Sequence, residues 1–147
     1  MILEGIDGET HINIYSKGKT VLGRWLTNFA YSPITILEFG EFASVESYWY
    51  WLGCEDDNLR HLSGFAAKQA GRRIKRTIDR PNFEELICKA IDIKLKSNRE
   101  MLYELAESTL PLVHYYEYGG KRVDAGFEWI VDHIENRRQL LKDKWLK

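Results

Sequence analysis

The fold and the chemistry expected of this chain depend on two segments, Y-S-K-G-K-T-V-L-G-R-W-L-T-N-F-A (Tyr15–Ala30) and F-A-S-V-E-S-Y-W-Y-W-L (Phe42–Leu52). The first segment is basic, contains glycines and becomes aromatic toward its end. The second carries one carboxylate, Glu46, next to four consecutive aromatic residues. Because successive residues of a helix point about 100° apart, four aromatics in a row cannot all face one core. Some of them are expected to line a cleft or to contact another molecule.

The size and composition of the chain are typical of a soluble globular protein. Its 147 residues suffice for one domain, 1–147, with a core that needs neither disulfides nor metal. Apolar residues make up 44% and charged residues 29%, which excludes disorder, and a net charge of -1 excludes a global field that attracts nucleic acid or membranes. Cys54 and Cys88 lack metal-ligand spacing and are interpreted as reduced, half-buried thiols. The N-terminus does not have the pattern of a signal peptide, so we expect a protein that is cytoplasmic or acts in a host cytoplasm.

Several short segments have the patterns of strands and turns. His11–Tyr15 alternates polar and apolar residues, and we expect it to pair with the β-like run Ile34–Phe39. Ser16–Gly23 is predicted to be a loop. Leu112–Tyr118 is predicted to be a strand that ends in a turn at Gly119-Gly120.

Helical patterns occupy most of the remaining sequence. Ser44 is a typical N-cap for a helix through Leu52, and the helix dipole is expected to lower the pKa of Glu46 in its first turn unless burial overrides that effect. Leu59–Arg76 is predicted to be a helix that breaks near Ser63-Gly64. Its expected apolar stripe consists of Leu62, Ala66, Ala70 and Ile74.

Capping signatures divide the second half of the chain. Asn82 with Glu85 predicts a helix through about Lys96, and Ser97 with Glu100 predicts the next one. Asp124 is expected to cap the last helix. The predicted fold is therefore α+β, a mostly helical single domain with a few short strands.

Four motifs together resemble the NADAR superfamily, the YbiA-like N-glycosidases. They are Y-S-K-G-K-x-x-L-G-x-x-L-T-N-F-A from Tyr15, S-V-E-S-Y-W from Ser44, K-x-x-G-R from Lys68 and Y-G-G-K-x-x-D-A-G from Tyr118. Their order and spacing agree with the family over about residues 12–141. The first two motifs are the specific ones.

The resemblance implies a compact, helix-rich α+β domain that hydrolyses N-glycosidic bonds to a ribose. Members of the family remove ADP-ribose from guanine bases, and others act on phosphorylated ribosylamino-pyrimidine intermediates of riboflavin synthesis. This chain departs from the family at Thr27, which replaces Ser, and at Ser47, which replaces His. The loss of His weighs against a direct transfer of the riboflavin-intermediate activity. A W-G-D-G segment of some members is matched only loosely by Tyr118-Gly119-Gly120 and Asp124.

Glu46 is the expected catalytic carboxylate, because departure of a base from ribose C1 leaves positive charge on the sugar that a fixed carboxylate stabilises. The alternative role is a first-turn glutamate that only compensates the helix dipole, which is worth about 0.3–1 kcal/mol. Asp124 is a candidate acid or second carboxylate, and a capping role is equally compatible with its position.

The remaining candidates bind substrate. Lys17, Lys19 and Arg24 suit a diphosphate, with Gly23 allowing close backbone approach, although a solvated basic loop is the more common role of such charges. Three further groups are assigned to the sugar, the base and a second phosphate: Asn28 for a ribose hydroxyl or base edge, Phe29, Tyr48 or Trp49 for stacking on the base, and Lys68 with Arg72 and Arg76 for a phosphate or a nucleic-acid backbone. For Arg72 and Arg76 a solvated helix face is the more common role, and half of the aromatic residues are expected in the core.

The sequence thus predicts an N-glycosidase that needs neither metal nor cofactor and removes ADP-ribose from guanine in a nucleotide or nucleic acid. Two alternatives stay open: hydrolysis of riboflavin-biosynthesis ribosylamino-pyrimidine phosphates, and a non-catalytic module that binds ADP-ribose or nucleotides derived from NAD. No membrane partner is expected, and the sequence does not indicate an oligomeric state. The four histidines have no metal-binding pattern and are expected on the surface or hydrogen-bonded in the core.

Overall fold

The computed structural model describes residues 4–145 and has the predicted α+β architecture. Over these residues it contains six α-helices, one 3-10 helix and six short strands. In chain order they are β1 (Ile12–Asn13), α1 (Val21–Leu26), β2 (Ile34–Ile36), β3 (Gly40–Phe42), α2 (Val45–Trp51), the 3-10 helix (Asp57–Leu59), α3 (Gly64–Arg73), α4 (Phe83–Ser97), α5 (Arg99–Glu107), β4 (Leu112–Val113), β5 (Tyr115–Tyr118), β6 (Lys121–Asp124) and α6 (Glu128–Trp145).

The backbone forms two compact units. The first consists of the described parts of Met1–Thr27 and Glu100–Lys147, and the second is Asn28–Arg99. The single domain expected over 1–147 stays a prediction.

In the first unit, the paired strands come from opposite ends of the chain. β1 runs parallel to β4, with Ile12 opposite Leu112. The predicted pairing of His11–Tyr15 with Ile34–Phe39 is therefore wrong. The side-chain amide of buried Asn13 extends this junction, because it donates to the Tyr115 carbonyl and accepts from the Tyr115 N–H, both at 3.0 Å. His11 is also buried, and its Nε2 lies 2.7 Å from the Tyr115 hydroxyl. The prediction of a hydrogen-bonded core histidine is correct at this position.

The β5–β6 hairpin of the first unit follows its sequence signals closely. Tyr118 pairs with Lys121 across a tight turn at Gly119-Gly120, where φ is +54° and +82°. Only glycine adopts such angles without strain, which explains the dipeptide. In contrast, the predicted loop Ser16–Gly23 already contains the start of α1, whose first turn is capped by the Thr20 side chain accepting from Gly23 N–H.

In the second unit, β2 and β3 form an antiparallel hairpin, with Ile34 opposite Phe42. The buried hydrophobic residues of this unit include members of both strands and of the three helices α2, α3 and α4. Trp51 is 4% exposed, and the largest hydrophobic residues below 2% are Tyr48, Phe42, Leu52, Leu59 and Ile87. α4 covers the predicted helix, but the Asn82 side chain makes no capping hydrogen bond, so the predicted capping box is wrong.

α3 begins at Gly64, close to the break predicted at Ser63-Gly64, but its buried face differs from the predicted one. The residues that it buries are Ala67 and Gly71, whereas Ala66 is exposed. The expected stripe through Ala66 and Ala70 is therefore wrong by about one residue. Both buried residues are small, so α3 can pack closely against its neighbour, whereas a stripe of bulky apolar residues would keep the two helices further apart.

Two further expectations concern the cysteines and the membrane. Cys54 and Cys88 are free thiols and half-buried, as predicted. Among residues 4–145, the helices are all too short or too polar to cross a lipid bilayer.

Candidate active site

The predicted site residues are distributed over both units. Glu46, Asn28, Phe29, Tyr48, Trp49 and Lys68 belong to the second unit, and Lys17, Lys19, Gly23, Arg24 and Asp124 belong to the first. The second unit contains the predicted catalytic carboxylate Glu46.

Hydrogen bonds fix the start of α2, where Glu46 lies. Ser44 is the N-cap, as predicted: its Oγ accepts from the Ser47 N–H at 3.1 Å and donates to the Leu62 carbonyl at 3.0 Å. The backbone N–H of Glu46 donates to the Asn28 carbonyl at 3.0 Å. The first turn of α2 is thereby tied to two other segments of the second unit, so the position of the Glu46 backbone is well defined.

The Glu46 carboxyl is buried, which changes its expected charge. The residue is only 9% exposed, between Val45 and Ser47, which are both at 0%. Burial raises the pKa of Glu46 from 4.5 to about 7, and the charges of Lys68 and Arg72 offset part of that rise. The helix dipole was expected to lower this pKa unless burial overrode it, and burial does override it, because the cost of desolvating the carboxylate exceeds the effect of the dipole. A carboxyl with a pKa of about 7 can both accept and donate a proton near neutral pH.

Lys68 and Arg72 act on the charge of Glu46 from α3. The Gly64 N–H at the start of this helix donates to the Phe29 carbonyl at 2.8 Å, and the Lys68 Nζ lies 5.7 Å from the centroid of the Phe29 ring. One turn later, Arg72 hydrogen-bonds the Tyr50 side chain. The cations and Phe29 are thus connected to the same stretch of backbone that holds Glu46.

Gly71 explains why the K-x-x-G-R motif places these cations beside α2. A Cβ at Gly71 would lie 2.1 Å from the Tyr50 ring, which is a severe overlap. Only glycine lets α3 approach α2 this closely. Sequence reasoning missed Gly71 and Tyr50 and favoured a solvated face for Arg72. The motif itself, Lys68 with Gly71 and Arg72, was the signal that contained the information.

The side chain of Asn28 contains a hydrogen-bond acceptor that receives no hydrogen bond from the described residues. Its side-chain Oδ1 is buried and makes no hydrogen bond to residues 4–145. A buried acceptor left in this state costs about 1–3 kcal/mol. The backbone carbonyl of the same residue accepts from the N–H of Glu46, so the Asn28 side chain lies next to the start of α2. A ligand hydroxyl or amino group could satisfy this acceptor.

The aromatic residues that were expected to stack on a base divide into two kinds. Tyr48 is 1% exposed, and its ring packs 4.9 Å from that of Phe42, centroid to centroid. The predicted stacking role of Tyr48 is therefore wrong, because a ligand cannot reach either face of the ring. Trp49 and Phe29 are half-buried. The Trp49 ring contacts Phe83 edge to face, with centroids 4.7 Å apart.

In the first unit, Lys17 and Lys19 are exposed on a loop that Asp7 holds in place. The Asp7 carboxylate accepts from the backbone N–H groups of Lys19 at 2.8 Å and of Asn13 at 3.0 Å. Arg24 supports the same loop, since its Nη1 donates to the Gly18 carbonyl at 2.7 Å. Sequence reasoning missed Asp7, because a lone acid near the N-terminus has no motif around it.

Gly23 and Asp124 do not have the predicted local roles. A Cβ at Gly23 would lie 2.3 Å from the Asn13 carbonyl oxygen, so this glycine makes room for the chain itself rather than for a ligand. Asp124 ends β6, is exposed, and its Oδ1 accepts from the Gly126 N–H at 3.0 Å. It does not cap α6, which begins at Glu128. A role for Asp124 as a second carboxylate stays a prediction.

Comparison with known proteins gives a structural match. The solution NMR structure of the Escherichia coli protein YbiA superimposes with a TM-score of 0.68 over 97% of this chain and 90% of YbiA, at 20% sequence identity. No family model matches the sequence, and no curated protein matches it either. At this level of identity the match establishes the fold and leaves the activity open. We conclude that the chain adopts the α+β fold of YbiA.

Proposed function

We propose that this chain is an N-glycosidase that removes ADP-ribose from ADP-ribosylated guanine. The observation that carries the proposal is the Glu46 carboxyl, which is buried, has a pKa of about 7 and lies in the field of Lys68 and Arg72. Strongly shifted carboxyl groups of this kind are typical of catalytic sites. The YbiA fold and the motif resemblance to YbiA-like N-glycosidases support the same assignment.

In the proposed reaction the bond between ribose C1 and the guanine nitrogen breaks and positive charge develops on the sugar. The ionised Glu46 stabilises that charge, as carboxylates do in other glycosidic hydrolyses. Water then adds to C1 and loses a proton to the Glu46 carboxylate. The same carboxyl returns a proton to the departing guanine, so that C1 gains OH and the base gains H. A pKa of about 7 suits both transfers at neutral pH.

Two neighbours of Glu46 are proposed to orient the substrate. The Asn28 side chain is half-buried, and a rotation that exposes its Oδ1 would let this acceptor bind a ribose hydroxyl. Phe29, which is half-buried under the Lys68 ammonium, would contact the sugar or the base. Trp49 remains a second candidate for contact with the base, since it is half-buried.

We also propose, separately, that the Lys17–Lys19 loop of the first unit binds phosphate. Both lysines are exposed, and the backbone between them is held by Asp7 and Arg24. An ordered loop loses less conformational entropy when it binds an anion than a mobile one does. Arg24 uses one donor for the Gly18 carbonyl and has others available for a phosphate oxygen.

Activity on ribosylamino-pyrimidine phosphates has less support. Where the resembling family has His, this chain has Ser47, which is fully buried. Its Oγ donates to the Ser44 carbonyl at 2.9 Å, so the hydroxyl serves the helix start. It is not free to replace an acid, a base or a ribose contact.

The proposal is tested by incubating the purified chain with an oligonucleotide that carries one ADP-ribosylated guanine. We expect free ADP-ribose and an intact guanine strand by mass spectrometry. A parallel reaction contains ribosylamino-pyrimidine phosphate, and turnover of that compound alone would replace the proposed substrate. Thermal stabilisation by ADP-ribose without any product would identify a non-catalytic binding module and overturn the proposal.

The pH profile of the proposed activity should depend on Lys68. Lys68→Met removes the positive charge that lowers the pKa of Glu46 most, so that pKa rises further above 7. If Glu46 reacts in its ionised form, the rising limb of the rate against pH moves to higher pH, whereas Lys68→Arg leaves it nearly in place. The measurement is the initial rate of ADP-ribose release between about pH 5 and 9. If Lys68→Met leaves the pH profile unchanged, the ionisation that controls the rate is not that of Glu46.

A further inference from the structure

A dense basic segment follows the last turns of α3. The residues R-R-I-K-R, Arg72–Arg76, place four cations within five positions, and no acidic residue occurs between Gly64 and Ile78. All four cationic residues are exposed. In a chain whose net charge is -1, this is a strong local excess of positive charge.

The C-terminal end of the basic segment is held against Gly53 and Phe83. The N–H groups of Thr77 and Ile78 both donate to the Gly53 carbonyl, at 2.8 and 3.0 Å. The Arg76 side chain packs against Gly53, where a Cβ would come within 3.1 Å of it, and its guanidinium lies 5.9 Å from the centroid of the Phe83 ring. Arg76 and the backbone that follows it are therefore held in place, which lowers the entropic cost of binding an anion there.

A small cavity opens beside the basic segment. It has a volume of about 160 Å³, and Arg72 and Arg76 line it together with the aromatic residues Trp49 and Tyr50. A single guanidinium group can donate two parallel hydrogen bonds to the oxygens of one phosphate, and aromatic faces stack on unpaired bases. The cavity is small enough to take a single base or phosphate group rather than a whole nucleotide.

Compensation of the helix dipole explains only part of this charge. Arg72 and Arg73 lie in the last turn of α3, where cations are stabilising, but Lys75 and Arg76 lie beyond the end of the helix. Among the residues that the structure describes, none of Arg73, Lys75 and Arg76 forms an ion pair with a carboxylate. Neighbouring like charges repel one another, and a bound polyanion would relieve that repulsion.

We infer that the basic segment Arg72–Arg76 and the cavity beside it bind the phosphate backbone of a single-stranded nucleic acid. Four exposed cations along one segment can neutralise several phosphates of a strand, and the aromatic wall of the cavity suits an unstacked base. The inference deepens the proposed function, on which it rests for its biological use, because it names a nucleic-acid strand as the carrier of the modified guanine.

The test measures binding of an unmodified, fluorescently labelled strand of about 15 nucleotides, near the upper size that one small domain covers. Fluorescence anisotropy is recorded for the wild type, for Arg73→Ala/Lys75→Ala, and for Lys89→Ala/Lys96→Ala. The last variant is the matched control, since it removes two exposed lysines from α4 and has the same net charge as Arg73→Ala/Lys75→Ala. Circular dichroism checks that all three proteins are folded.

We expect the basic-segment variant to bind about 10- to 100-fold more weakly at about 50 mM salt, and the slope of log K against log salt to fall by about 1.4 in magnitude. The control variant should keep the wild-type affinity and slope. Three results would overturn the inference: no binding by the wild type, an equal loss in both variants, or pyrophosphate binding as tightly as the strand. Because the strand carries no ADP-ribose, the result is independent of hydrolysis, and a chain that binds but does not hydrolyse would contradict only the proposed function.

Discussion

Glu46→Gln is expected to lower the rate of ADP-ribose release from guanine by about 10²- to 10⁴-fold, the range of a lost acid–base group, with little change in substrate affinity. The variant keeps the size of the side chain and removes its charge and its proton transfer. The measurement is kcat and KM on the ADP-ribosylated oligonucleotide. Glu84→Gln is the control, because Glu84 also lies in the first turn of a helix but is exposed. Equal rates in the wild type and Glu46→Gln would exclude Glu46 from the reaction.

The same variant should gain stability at alkaline pH, which shows that any lost activity is not a folding defect. Glu46 has a pKa of about 7 in the folded chain against 4.5 for the free group, so the folded state holds its proton more tightly. In the wild type, the contribution of the protonated Glu46 carboxyl to the free energy of unfolding is fully present below about pH 4.5 and is lost as pH rises through 7. The difference between the wild type and Glu46→Gln should therefore change by about 3 kcal/mol between acidic and alkaline conditions. Denaturant unfolding at several pH values measures it, and a difference that does not vary with pH would contradict the burial of the carboxyl.

The helix that carries Glu46 could be predicted, but the state of its carboxyl could not. Ser44 and the following residues form a local capping signal, which acts over three positions and does not depend on the rest of the chain. The pKa of Glu46 depends on what covers it. Desolvation arises from packing with residues distant in sequence, and it reverses the sign that the local dipole suggests.

Strand pairing shows the same limit at longer range. The patterns of His11–Tyr15 and Leu112–Tyr118 indicated extended chain at both places, and the Gly119-Gly120 turn was correctly placed. No local pattern states that Ile12 pairs with Leu112, because the partner is a hundred positions away and the strands are two residues long. Proximity in sequence favoured Ile34–Phe39 as the partner, and β2 instead pairs with β3.

The close approach of α3 to α2 leads to the second large prediction, on Gly71. Gly71→Ala would normally stabilise a helix by about 1 kcal/mol through propensity. Here the new methyl would lie 2.1 Å from the Tyr50 ring, so we expect a net loss of about 1–3 kcal/mol, as for other overpacked sites. Urea unfolding measures the loss. Gln69→Ala, exposed on the same helix, should have an effect within about 0.5 kcal/mol.

A double-mutant cycle identifies the contact responsible. Tyr50→Ala removes the ring that Gly71→Ala would overlap, so the second substitution should cost much less in that background, with a coupling of about 0.5–3 kcal/mol. The same packing brings Arg72 to Tyr50 and, with Lys68, into the field of Glu46. Gly71→Ala should therefore also raise the pKa of Glu46 by moving both cations away. A stabilising Gly71→Ala would mean that α3 does not approach α2 at this glycine, and the electrostatic environment assigned to Glu46 would lose its structural basis.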